Sequence, residues 1–63
     1  MKYYLKDLTT NEGLYVGSHN KTSCQLQIFE HAVPFEKQED AETSRRNLED
    51  YCGLKLKVIE IDS

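Results

Sequence analysis

The chain is 63 residues long, with 8 Lys+Arg against 11 Asp+Glu and a net charge of −3. That length holds one domain, 1–63, with a thin core, since a domain of this size buries only about 60% of the surface its unfolded chain exposes. A mildly acidic balance argues against unaided nucleic-acid binding, which draws on a basic patch. No apolar run approaches the roughly 18 residues that cross a bilayer. MKYYLKDL lacks the apolar core and cleavage site of a signal peptide, so the expected setting is the cytoplasm.

Lys2 to Leu8 reads as a first strand, because Tyr3, Tyr4 and Leu5 favour extended backbone and Lys6 and Asp7 restore polarity. Thr9-Thr10-Asn11-Glu12-Gly13 is a turn, and Leu14 to Gly17 the return strand of a hairpin. Ser18 to Ser23 is polar and forms a loop. Its Asn20-Lys21-Thr22 sequon matters only in a secreted protein.

Cys24 to Phe29 alternates, with Cys24, Leu26 and Ile28 against Gln25 and Gln27, and predicts a third strand. A short helix with Leu26, Phe29 and Val33 on one face is the alternative. Pro34 interrupts and biases Val33 toward extended backbone.

The clearest helix runs from Gln38 to Tyr51. Ala41, Ser44 or Arg45, Leu48, Tyr51 and Cys52 recur at helical spacing. Glu39, Asp40 and Glu42 lie where the helix dipole favours negative charge. Glu42 and Arg46 form an acid-to-base pair at i,i+4, and Gly53 suits the left-handed residue that ends a helix. Leu54 to Ile61 is the last strand. The expected fold is α+β, a small sheet of three to four strands in the order β-β-β-α-β with one helix on one face. A right-handed crossover is expected if the third and last strands are parallel neighbours.

A sheet with one helix has one covered and one open face. Tyr3, Leu5, Leu14, Val16, Leu26, Ile28, Leu54, Leu56 and Val58 are expected beneath the helix. Lys6, Lys55 and Lys57 suit the open face. Tyr4, Tyr15, Ile59 and Ile61 fall there too, and Phe29 is a candidate to join them. These are either scattered surface residues, with a bulge near Val58 turning Ile59 inward, or a contiguous patch for a protein partner or a second copy.

His19, Cys24, His31 and Cys52 are zinc-type ligands without the paired spacing of a structural zinc site. No metal or other cofactor is expected. Without an export signal the two cysteines read as buried thiols rather than a disulfide. A Cys/His pair alone lacks the orienting group and oxyanion hole of a nucleophilic site. Gly13, Gly17 and Gly53 are too isolated for a phosphate loop. Arg45 and Arg46 find intrahelical partners in Glu42, Glu49 and Asp50.

Phe35-Glu36-Lys37-Gln38-Glu39-Asp40-Ala41-Glu42, followed by a helix and LKLKVIEID, resembles a pattern of small phage and prophage accessory proteins. In that pattern a Tyr…Leu hairpin opens the chain and an F-x-S-x-x-E-A-E-like segment starts the helix. Lys37 stands at its Ser cap and Asp40 at a Glu. The resemblance covers the opening hairpin and the last half. It implies a non-catalytic protein that binds a host enzyme or defence complex, and it carries over no functional residue.

The expected function is therefore a non-enzymatic protein-binding module, an inhibitor of a host nuclease or defence complex on the resemblance. Its contacts are Tyr4, Tyr15, Ile59 and Ile61 on the open face and Glu39 and Asp40 at the helix start. The alternative is a nucleic-acid-associated regulator that uses Tyr4, Tyr15, Lys6, Lys55 and Lys57 as a single-strand platform.

Overall fold

The computed structural model describes residues 1–20 and 22–62. Lys21, within the expected loop and the sequon, and Ser63 lie outside the described residues. The elements are β1 (Lys2–Asp7), β2 (Tyr15–Val16), β3 (Leu26–Gln27), a 3-10 turn (Phe29–His31), α1 (Gln38–Cys52) and β4 (Leu56–Ile61). They form a four-stranded sheet ordered β3-β2-β1-β4, antiparallel at every pairing. This is the α+β fold that the chain order predicts.

The long connection from β3 through α1 does not make a parallel crossover. It carries the chain from one edge of the sheet to the other, where β4 pairs antiparallel with β1. The parallel-neighbour condition is not met, because β1 and β2 lie between β3 and β4.

β1 and β4 form the framework of the sheet, matched without a bulge from Lys2↔Ile61 to Asp7↔Leu56. β2 and β3 are much shorter than the alternation predicts, only Tyr15–Val16 and Leu26–Gln27. One reason is that Phe35 takes a place beside β1. Its N–H donates to the Tyr3 carbonyl at 2.7 Å and its carbonyl accepts from Tyr3 at 3.0 Å. Val33 likewise donates to the Val16 carbonyl at 3.3 Å. The extended bias imposed by Pro34 is thus used to return the chain to the sheet.

Leu5, Val16, Phe35, Ala41, Leu48 and Leu56 are the buried core, with Tyr3, Leu26, Cys52, Leu54 and Val58 packed around it. Ala41, Ser44 and Leu48 give α1 its buried stripe. Tyr51, expected on that stripe, is 63% exposed, and Ile28, expected beneath the helix, is 52% exposed. Ile28 leaves the sheet to precede the 3-10 turn, which breaks the period-two alternation there.

α1 ends at Gly53 with φ 68°, and the Gly53 N–H donates to the Glu49 carbonyl. The left-handed conformation there is the one glycine adopts without a Cβ clash. Glu42 pairs with Arg45 rather than Arg46, at 3.7 Å, and Arg45 also reaches Glu49 at 2.8 Å. The other Glu49 oxygen accepts the Leu56 N–H at 2.9 Å, joining the helix to β4. Glu49→Ala is expected to cost about 1–3 kcal/mol by stripping a partner from that amide. Urea unfolding checks this; Glu49→Gln, which keeps an acceptor, should lose less.

Asp7 differs most from its sequence reading. It shares the helix-facing side with Leu5, and it is buried. Its carboxylate accepts the Thr9 N–H at 2.9 Å and the Thr10 hydroxyl at 3.1 Å. It therefore shapes the turn that the Thr9–Gly13 composition predicts. Burial pushes the Asp7 carboxyl up, and the hydrogen bonds from Thr9 and Thr10 together outweigh it, so its pKa is lowered overall. A lowered folded pKa stabilises the protein above the unfolded value, near about 3.9, and that stability is lost as pH falls through the folded value. Between neutral pH and about pH 3, Asp7→Asn should therefore lose less stability than the parent in urea unfolding. Equal losses would show that Asp7 is not the group responsible.

Candidate functional site on the uncovered sheet face

The antiparallel register settles which side chains share a face. Lys6 stands opposite both Tyr15 on β2 and Lys57 on β4, Tyr4 opposite Ile59, Lys2 opposite Ile61, and Tyr15 opposite Gln27. All of these point away from the core set of Leu5, Val16 and Leu56, because side chains alternate along a strand. Tyr4, Tyr15, Ile59 and Ile61 are thus brought together on the side opposite α1. The unbroken β1–β4 pairing rules out a bulge that would turn Ile59 inward.

Phe29 completes this surface. The 3-10 turn swings its ring over the sheet, 5.0 Å from the Tyr4 centroid and 5.1 Å from Tyr15, tilted to one and edge-on to the other. Such geometries are the favoured ones for aromatic pairs. Phe29 remains 44% exposed while both tyrosines are half-buried. The sequence offers Phe29 as a candidate for this face, and the structure places it there. Its position depends on the chain leaving the strand after Gln27.

Charge on this face is one-sided. Among the described residues, Lys2, Lys6 and Lys57 are its only ionisable strand residues besides the tyrosines, while Glu60 and Asp7 project to the helix side. Lys2 Nζ is paired with Glu36, and the Lys2 ammonium holds the Glu36 carboxyl below its usual range. Lys6 and Lys57 face one another across the β1–β4 pair, and among the described residues no carboxylate bridges them. Like charges directly opposite on neighbouring strands are destabilising.

Glu39 and Asp40 are not part of this surface. They sit exposed in the first turn of α1, on the other side of the sheet. Lys37 precedes the helix without a side-chain cap, as its place at the expected Ser position implies. Asp40 borders an open groove with His19, Phe35 and Thr43. The His19 ring packs on Phe35 at 4.8 Å, and its Nε2 lies 2.7 Å from the Pro34 carbonyl oxygen. That histidine fastens the loop after β2 to the segment before α1.

The two cysteines correct the sequence reading. Cys24 and Cys52 are joined in a disulfide with Cα atoms 5.8 Å apart, so they are not buried thiols. The strand ends before it reaches Cys24, which leaves that residue exposed beside the last turn of α1. The thiol reading followed from the cytoplasmic expectation, and the bridge weighs against that expectation in turn, since disulfides persist mainly in oxidising compartments. No helix among the described residues is long and apolar enough to cross a membrane. Neither sulfur is free to act as a nucleophile. Among the described residues no three His, Cys, Asp or Glu side chains gather as a metal site.

No family model, curated protein or solved structure matches the chain.

Proposed function

We propose that this domain acts by contact, as a non-enzymatic protein-binding module, and that the uncovered sheet face is its binding surface. The reading is carried by one observation: Tyr4, Tyr15, Phe29, Ile59 and Ile61 form a single aromatic and aliphatic surface beside the facing Lys6 and Lys57. Binding sites of this kind combine aromatic anchors with a polar rim. The fitting partner is a protein with an apolar patch edged by carboxylates, which would relieve the Lys6–Lys57 repulsion. The phage-type resemblance suggests a host enzyme or defence complex as the target class.

Single-stranded nucleic acid is the second reading, favoured by the same lysines beside aromatic rings. Phe29 packs against both tyrosines, which reduces the ring area open to stacked bases. A protein partner is therefore preferred.

The test places a photoreactive benzophenone side chain at Phe29, or at Tyr51 on the far side of the molecule, in native lysate. A protein adduct is expected from position 29 and not from 51, and Tyr15→Glu should abolish it while leaving the circular dichroism spectrum unchanged. Equal adducts from both positions, or none from 29, would contradict the proposal. An oligonucleotide adduct would transfer the assignment to the second reading.

A further inference from the structure

The β4 edge presents a second kind of surface, made of backbone rather than side chains. β4 is the last strand of the sheet order, with β1 on one side only. The Leu8 N–H donates to the Lys55 carbonyl at 2.7 Å, while Asp7 donates to Leu14 on the other side of β1 at 2.8 Å. Antiparallel alternation then directs the peptide groups of Lys57 and Ile59 toward β1 and those of Leu56, Val58 and Glu60 outward. Glu49 occupies the Leu56 N–H. Among the described residues nothing pairs with the outward N–H and C=O groups of Val58 and Glu60. β4 has six residues, no proline and no bulge. The opposite edge is far less available, because β3 has only two residues and runs into the 3-10 turn.

An open strand edge is a template for another strand. We propose that β4 pairs antiparallel with β4 of a second copy about a two-fold axis, joining the two sheets edge to edge. The sequence of β4 is self-complementary in that arrangement. A two-fold at Lys57 or Glu60 would set like charges opposite one another, which is destabilising. A two-fold at Ile59 sets Ile59 against Ile59, Lys57 against Ile61, and Val58 against Glu60; one at Val58 also avoids like pairs. Such pairing is isologous and closes at two copies. It would also bring the Ile59 and Ile61 side chains of both uncovered faces into one surface.

Amide hydrogen exchange across a concentration series tests this independently of the uncovered face. Exchange at Val58 and Glu60 should slow by about tenfold or more at high concentration, while Lys57 and Ile59, held by β1, stay protected throughout. Sedimentation should show a dimer over the same range. A chain synthesised with N-methyl-Val58 should remain folded and become monomeric, whereas Tyr15→Glu, which alters the face alone, should still dimerise. Should the N-methyl chain fail to fold, the exchange pattern of the parent decides the matter. A monomer at millimolar concentration, unprotected Val58 and Glu60 amides in a dimer, or a dimer that survives N-methylation would each overturn the proposal.

Discussion

Replacing Cys24 and Cys52 together by serine is expected to lower the unfolding free energy by about 3–4 kcal/mol. The bridge spans a sequence separation of 28, and closing a loop of that size in the unfolded chain costs conformational entropy of this order. A domain this small starts near the low end of the usual stability range, so the loss is a large fraction of the total. The melting temperature should fall by roughly 15–30 °C. The reason is visible in the fold. β3 has two residues and pairs only with β2, so the segment carrying Cys24, Leu26 and Phe29 has little else to fix it to α1. Reduction of the parent protein should reproduce the effect. A loss under about 1 kcal/mol would show that the bridge is not what holds this segment. The same experiment bears on compartment: in a reducing cytosol the domain would have to function in its weakened form.

The second large effect is expected at Leu5. It lies on the central strand β1, fully buried beneath α1, at the middle of a core with six buried apolar side chains. Leu5→Ala should cost about 2–5 kcal/mol, from lost burial together with the cavity left behind. Ile59→Ala on the opposite face of the sheet should cost less, because that side chain is only half-buried. Chemical denaturation of both variants compares the two faces directly. Equal losses would mean that the uncovered face is packed like a core, leaving no reserve of apolar surface for a partner.

The fold was legible from the residues because its main elements have strong local signals. β1 and β4 alternate over long stretches, and α1 has both a buried stripe and a glycine stop. The face assignment of Tyr4, Tyr15, Ile59 and Ile61 followed from the same alternation. What escaped the sequence depends on contacts between distant segments. Asp7 looks like an ordinary strand-end charge until the turn folds Thr9 and Thr10 onto its carboxylate. Phe35 reads as a residue before the helix, and only the bridge to Tyr3 makes it part of the core. The disulfide had a signal in the pairing of two cysteines within a very small domain, a class that often relies on such staples. The expectation of a cytoplasmic setting points the other way. Phe29 is a candidate for the open face in the sequence and lies there, but its contact with both Tyr4 and Tyr15 depends on the chain leaving β3 after Gln27.

The split between the two candidate contact regions also required the three-dimensional arrangement. Glu39 and Asp40 lie on α1, across the sheet from the aromatic surface, so a single small partner cannot engage both without wrapping the domain. The one-sided distribution of lysine and apolar side chains favours the sheet face of the two.

The central claim, that the protein works through this face, is tested most directly by nuclear magnetic resonance of the labelled domain titrated with the purified partner recovered by cross-linking. Perturbed side-chain signals at Tyr4, Tyr15, Phe29, Ile59 and Ile61, with those of Glu39, Asp40, Thr43 and Asn47 unmoved, is the predicted result. Perturbation confined to the α1 residues would contradict it.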